Sequence, residues 1–185
     1  MSRTLDLCIT GYIKTQLQRY NHRKPTRPQH SPHPVALKRY VKSAQPPIPP
    51  DETPAAGPDV ILRVQQVVVS ILYHTRAVYL TALTALTTLW SEQAKATAHT
   101  MKSTEHLLDY SATHPNANLR SYASAIVFKI HSYVSYASER GTNIHAARHY
   151  FLGWVPRYNE SIRINGAIYT LCNIMKIVAS SPAEA

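Results

Sequence analysis

Apolar residues recur at Val60, Ile61, Val64, Val67, Val68, Ile71 and Leu72, in steps of one, three and four. Steps of three and four keep such positions on one face of an α-helix. Gly57-Pro58 precedes the run, and Asp59 can offer its carboxylate to the first unpaired N–H groups, so Asp59 is the expected N-cap. The β-branched residues weaken helix propensity, but the period outweighs them. A second helix is expected with Leu80, Leu83, Leu86, Leu89 and Trp90 on one side. A third runs from Ala94 through Ala98, Met101 and Leu108, with Glu105 interrupting its apolar stripe. Glu105 and Asp109 read as solvated charges on that helix face. His114-Pro115-Asn116 closes the helical region, because the residue before proline avoids the α conformation. These stripes together imply a small helical core.

The period then changes. Ile126, Phe128 and Ile130 alternate with Val127, Lys129 and His131, which predicts a strand with one buried face. Further strands are expected at 149–155 and 164–171, with Gly141-Thr142-Asn143 and residues 156–160 as turns. Three strands with short links suggest an antiparallel meander. Ser180-Ser181-Pro182-Ala183-Glu184-Ala185 reads as the start of another helix, with serine as cap and proline at the first position. The fold class expected is therefore α+β, helices first and an antiparallel sheet after, behind an extended N-terminal region.

Charge changes the picture most at the N-terminal end. The chain holds 20 Lys+Arg against 10 Asp+Glu, a formal net charge of +10. Residues 21–50 carry Arg23, Lys24, Arg27, Lys38, Arg39 and Lys42 with no Asp or Glu, and eight of the 13 prolines. Proline fixes φ and removes a donor, so this stretch is neither helix nor central strand but an extended connector. A basic extended segment attracts phosphate through counterion release; the alternative is a solvated linker whose charge aids solubility. Tyr12, Tyr20 and Tyr40 are candidates to stack on bases beside these charges, or to pack. His22, His30 and His33 have no helical ligand spacing and no accompanying cysteine, which argues against a metal site. The two cysteines, Cys8 and Cys172, are too few for a disulfide framework. No apolar run reaches the ~20 residues of a membrane span. Residues 67–89 contain His74 and Arg76 and read as paired helices, while Asp6, Lys14 and Arg19 break any secretory signal. An intracellular location, cytoplasm or nucleus, is the expectation.

Several stretches together carry a family resemblance. Leu5-Asp6-Leu7, Gly11-Tyr12-Ile13 and residues 24–33 resemble the region after the polymerase palm in copia-type LTR-retrotransposon Pol polyproteins. Val64-Gln65-Gln66-Val67, Leu72-Tyr73, Arg76-Ala77-Val78, Leu107-Leu108-Asp109-Tyr110 and Ala112-Thr113-His114-Pro115 continue the likeness in order. Tyr122-Ala123-Ser124, His131-Ser132, Ser135-Tyr136, Phe151-Leu152-Gly153, Asn165-Gly166-Ala167-Ile168 and residues 180–185 resemble the start of the attached ribonuclease H domain. The resemblance implies three parts. Residues 1–57 end the post-palm segment and form the proline-rich basic linker; 58–116 form a helical thumb or connection; 117–185 form the first, incomplete part of a ribonuclease H-like antiparallel sheet.

The resemblance also implies chemistry. Reverse transcriptase activity would need the palm, which lies outside this match. Ribonuclease H uses clustered carboxylates to hold two divalent metals, Mg²⁺ or Mn²⁺ in the intact domain. The family's first strand carries a metal-binding aspartate where this chain has Tyr133, a neutral phenol and expected to be an ordinary strand tyrosine. The family's Glu-Ala-Glu helix is represented only by Glu184-Ala185. The paired glycines of the second strand are Ala147-Arg148, which would strain any bulge there, and an aspartate after Arg-Ala-Val is Tyr79. The expectation is an inactive polyprotein fragment with no catalytic residue, metal ligand or cofactor of its own. It would bind RNA, DNA or an RNA–DNA hybrid without sequence preference through Arg23, Lys24, Arg27, Lys38, Arg39 and Lys42, and associate with the rest of Pol if both are made, not with a membrane. Two alternatives are a piece of an active metal-dependent ribonuclease H that needs other segments, and a module that binds protein partners through its helices.

Overall fold

The computed structural model describes residues 3–34, 51–134, 144–161 and 164–175. Its elements run β1 (Thr4–Cys8), α1 (Tyr12–Arg19), α2 (Pro58–Ala77), α3 (Leu83–Glu92), α4 (Ala98–Thr113), β2 (Asn118–Tyr122), β3 (Val127–Val134), β4 (Ile144–Gly153) and β5 (Tyr169–Met175). One-turn 3₁₀ helices at Leu80–Ala82 and Gln93–Lys95 flank α3. The architecture is α+β: four helices and two small antiparallel sheets among the described residues. No described helix is long and apolar enough to cross a membrane.

The helical core forms where the stripes converge. Val64, Val67, Val68 and Ile71 of α2 are 0–1% exposed and meet Ile13 of α1, Leu86 and Leu89 of α3, and Leu107 and Leu108 of α4. Burying side chains of this size contributes roughly 1.5–3 kcal/mol each before entropy is charged against it. Small hydroxyl residues let α4 approach closely, and each satisfies itself: Thr104 donates to the Thr100 carbonyl at 2.8 Å and Ser111 to that of Leu107 at 2.9 Å. A reciprocal capping box of Thr97 and Thr100 starts α4.

Three details of the helices depart from expectation. The N-cap of α2 is Gly57, and Asp59 lies in the first turn without capping, because Pro58 takes the first helical position with its preset φ. The third helix starts at Ala98, four residues after Ala94, which sits in a 3₁₀ turn before the Thr97 cap. Leu83, Leu86 and Leu89 are buried as expected, but Trp90 is 50% exposed.

The sheets are built from antiparallel neighbours. β1 pairs with β2, and Asp6 lies directly opposite Arg120, which donates from Nε and Nη2 to the two carboxylate oxygens at 2.7 Å each. The Arg120 hydrogen bond holds the Asp6 carboxyl below its usual range. Asn165 then bonds both backbone groups of Tyr122, at 2.9 and 3.0 Å, so the loop before β5 is tied to β2. Gly166 continues this contact; a Cβ there would fall 2.6 Å from Leu119 Cγ and 3.2 Å from the Arg120 carbonyl.

The second sheet has the order β3-β4-β5, a meander as expected. Its strands differ from the expected limits: β4 begins at Ile144, ahead of 149, and β5 spans Tyr169–Met175, while Ile164 makes only an isolated bridge to Gly153. Ala147 and Arg148 stand in unbroken register opposite Tyr133 and Ser132, so no bulge is present to strain. The predicted buried face is reversed. Ile126 is 71% exposed, Phe128 56% and Ile130 52%, whereas Val127 and Lys129 are half-buried. α3 lies against the other side of the sheet, where Thr88 meets His145, so Phe128 and Ile130 face away from the helices. The 141–143 turn and the helix start at 180–185 lie outside the described residues.

Candidate nucleic-acid interface

The basic segment begins where α1 stops, and the stop is chemically defined. Asn21 adopts a left-handed φ of 50°, the His22 N–H bonds the Leu17 carbonyl at 2.9 Å, and the Asn21 N–H bonds that of Gln18 at 3.0 Å. This is a Schellman ending with asparagine at the left-handed position. It turns the chain so that residues 22–33 run along α4.

Side chains four apart on α4 then receive the segment. His22 lies between two carboxylates, Nδ1 3.0 Å from Glu105 Oε2 and Nε2 2.8 Å from Asp109 Oδ1. Only a ring carrying both N–H groups can donate to both at once. Arg63 of α2 closes the cluster, its Nη2 3.1 Å from Glu105 Oε1 and 3.3 Å from the Tyr20 carbonyl. One turn on, the Gln29 N–H donates to Thr113 Oγ1 at 3.0 Å. His106 Nε2 lies 2.9 Å from the Ser31 carbonyl, and His30 Nδ1 lies 3.3 Å from His114 Nε2. Residues 22–33 are therefore a strap fastened to the bundle. Glu105 and Asp109, expected to be solvated charges, are its half-buried anchors.

The predicted binding residues fall into two groups. Arg23, Lys24 and Arg27 are exposed on the strap, close in sequence to exposed Lys14 and Arg19 of α1. None of these five pairs with a carboxylate among the described residues. Lys38, Arg39, Lys42 and Tyr40 lie outside the described residues. Of the other two candidate tyrosines, Tyr20 is buried and Tyr12 half-buried. Tyr20 is 5% exposed, and its hydroxyl donates to the Gln66 carbonyl at 2.9 Å and meets Ser70 Oγ. Tyr12 donates to the Ser70 carbonyl at 3.0 Å, and its ring lies parallel to that of His74 at 5.7 Å. Both hold α1 against α2.

Tyr133 is 67% exposed on β3 and faces Ala147 across the ladder. Among the described residues no group of three His, Cys, Asp or Glu side chains is arranged to hold a metal ion. A phenol does not replace the charged oxygen that a hard cation prefers.

Sequence reasoning singled out the cations but missed what positions the described ones. The helix stop was signalled by Asn21 followed by Pro25, with Arg19 in the last turn. The His22–Glu105–Asp109 cluster had no local signal, because 83 and 87 residues separate its members. Comparison with protein-family models, with curated proteins and with solved structures finds no match.

Proposed function

We propose that this chain derives from a copia-type LTR-retrotransposon Pol polyprotein, spanning the post-palm connection and the start of ribonuclease H, and that it binds nucleic acid without sequence preference and without cleaving it. The reading rests on the ordered blocks of resemblance and, for binding, on one structural observation. The carboxylates beneath the strap are engaged by His22 and Arg63, while Arg19, Arg23, Lys24 and Arg27 stay exposed and pair with no acid among the described residues. The outward charge of the strap is thus positive, and phosphate is its complement. Each phosphate neutralised releases counterions, which ties affinity to salt. For catalysis, the resemblance aligns Tyr133 with a metal-binding aspartate, and the substitution removes the anchor of the first ion.

The test is fluorescence anisotropy of a labelled duplex from 50 to 200 mM salt. Four phosphate contacts give a log–log slope near about −3.6 and a loss of roughly 150-fold over that range; further contacts from Lys38, Arg39 and Lys42 steepen it. The triple variant R23A/K24A/R27A should flatten the slope by about 2.7. A slope near zero overturns the binding reading. Cleavage of an RNA–DNA hybrid that requires Mg²⁺ or Mn²⁺ and stops with chelator overturns the non-catalytic one.

A further inference from the structure

A cavity of about 690 Å³ opens between α2, α3 and the outer strand β5. Leu72, Leu83, Leu86 and Trp90 wall one side, and the half-exposure of Trp90 follows from its place there. Cys172 lines the opposite side, at the centre of β5. It pairs with Ala147, so His145 is its diagonal neighbour on the same sheet face. The two side chains meet, with Cys172 Sγ 3.8 Å from His145 Nδ1. His145 is 5% exposed, and its Nε2 lies 3.5 Å from Thr88 Oγ1, which leaves Nδ1 to face sulfur. Thr87 also reaches β5, donating to the Cys172 carbonyl at 3.4 Å. Arg76 of α2 is the cation of the cavity lining and pairs with no carboxylate among the described residues.

We propose that Cys172 and His145 form a reactive thiol site for soft carbon electrophiles, specifically α,β-unsaturated carbonyl compounds that carry an apolar body and an acid group. The apolar wall accepts the body, and Arg76 supplies the counter-charge for the acid. His145 takes the thiol proton on Nδ1. The thiolate sulfur attacks the β-carbon, the C–S bond forms, and the π pair moves to the carbonyl oxygen as an enolate. The proton on His145 then passes to the α-carbon. Atoms and electrons balance without an oxidant or a leaving group. Burial alone pushes the Cys172 thiol up, but hydrogen bonds from His145 and Thr87 and the charge of His145 outweigh it, and the thiol titrates below its ordinary range. On the sheet face of Cys172 the titratable neighbours are His145 and His149 of β4, its two diagonal partners, and Arg76 of α2 lines the same cavity.

Cys8 provides an internal reference, since it is exposed on β1 of the same chain. The full chain is treated with N-ethylmaleimide or 6-maleimidohexanoic acid, and both thiols are followed by peptide mass spectrometry from pH 5 to 9. Cys172 is expected to react at least tenfold faster than Cys8 at pH 7, with a rate midpoint at lower pH. H145Q should remove the advantage, and R76Q should erase a preference for the acidic reagent. The wild-type profile stands without either variant. A Cys172 rate no greater than that of Cys8, or an unchanged rate in a folded H145Q protein, overturns the thiol site. Equal rates for the two reagents overturn its acid specificity.

Discussion

Replacing His22 with alanine removes both ends of a bridge and exposes a second effect. The His22 side chain is 8% exposed, and its partners Glu105 and Asp109 are 36% and 30% exposed. A hydrogen bond to a charged group contributes about 1.5–3 kcal/mol when buried, but an exposed ion pair only about 0.2–1 kcal/mol. The half-buried carboxylates place the two bonds together at about 2 kcal/mol. Glu105 and Asp109 are also four apart on α4, and without the imidazole between them they repel by about 0.2–0.5 kcal/mol. Arg63 still covers Glu105, so Asp109 bears most of the loss. H22A should therefore destabilise by about 2–3 kcal/mol, a fall in Tm of roughly 4–12 °C for a chain of this size. Urea unfolding of H22A, D109N and the double variant separates the terms. Asp109 no longer loses an ionic hydrogen bond once it is neutral, so the double variant should be more stable than the two losses added together, by about 1 kcal/mol. H22A should also weaken oligonucleotide binding, because it uncovers the Asp109 carboxylate beside the strap. Losses that add to within about 0.3 kcal/mol would refute the bridge, since uncoupled sites behave that way.

Two further outcomes follow from side chains at either end of α1's packing. His74 is 1% exposed with neither ring nitrogen hydrogen-bonded, and burial lowers its pKa from the ordinary 6.5. The unfolded chain then binds the extra proton, so the contribution of His74 to stability is constant above about pH 6.5 and falls as pH drops below it. His149 is lowered for the same reason, with His131 adding to it, and acts in the same direction. H74F keeps a ring against Tyr12 and removes two unpaired polar atoms; it should stabilise by about 1 kcal/mol at pH 7 and by more at pH 5, read by thermal melts at both. Asn21 holds its left-handed φ at the end of α1, so N21A should cost about 1 kcal/mol in urea unfolding while N21G stays near neutral.

The helices were legible because their evidence is local. Val64, Val67, Val68 and Ile71 sit within eight residues, and any burial of that stripe makes a helix of period 3.6. β1 and α1 carry weaker patterns: Leu5 and Leu7 are 60% and 47% exposed, and β1 is completed by a partner 114 residues away. Alternation in residues 126–131 correctly marked a strand. It could not say which face is covered, because a period of two divides the side chains equally and the covering element decides. That element is α3, and its Thr88 contact with His145 fixes the choice on the side away from Phe128.

The same distinction governs the basic segment. Composition alone gives a run of cations without acid, and such a run reads as a phosphate-binding segment or as a solvated linker. Its behaviour depends on charges elsewhere in the chain. Bare Glu105 and Asp109 would have offset two of the four cations between Arg19 and Arg27, and the strap would present little net charge to phosphate. His22 and Arg63 occupy those carboxylates instead, and the Schellman turn at Asn21 brings His22 to them. The prolines that follow contribute by restricting the unfolded alternatives of residues 25–34, so less entropy is lost when the strap lies along α4. Fastening the backbone to one side leaves Arg23, Lys24 and Arg27 exposed together. A tethered row of cations loses less freedom on meeting a polyanion than a free one, so cutting the tether at His22 should weaken binding even though every phosphate-binding side chain remains.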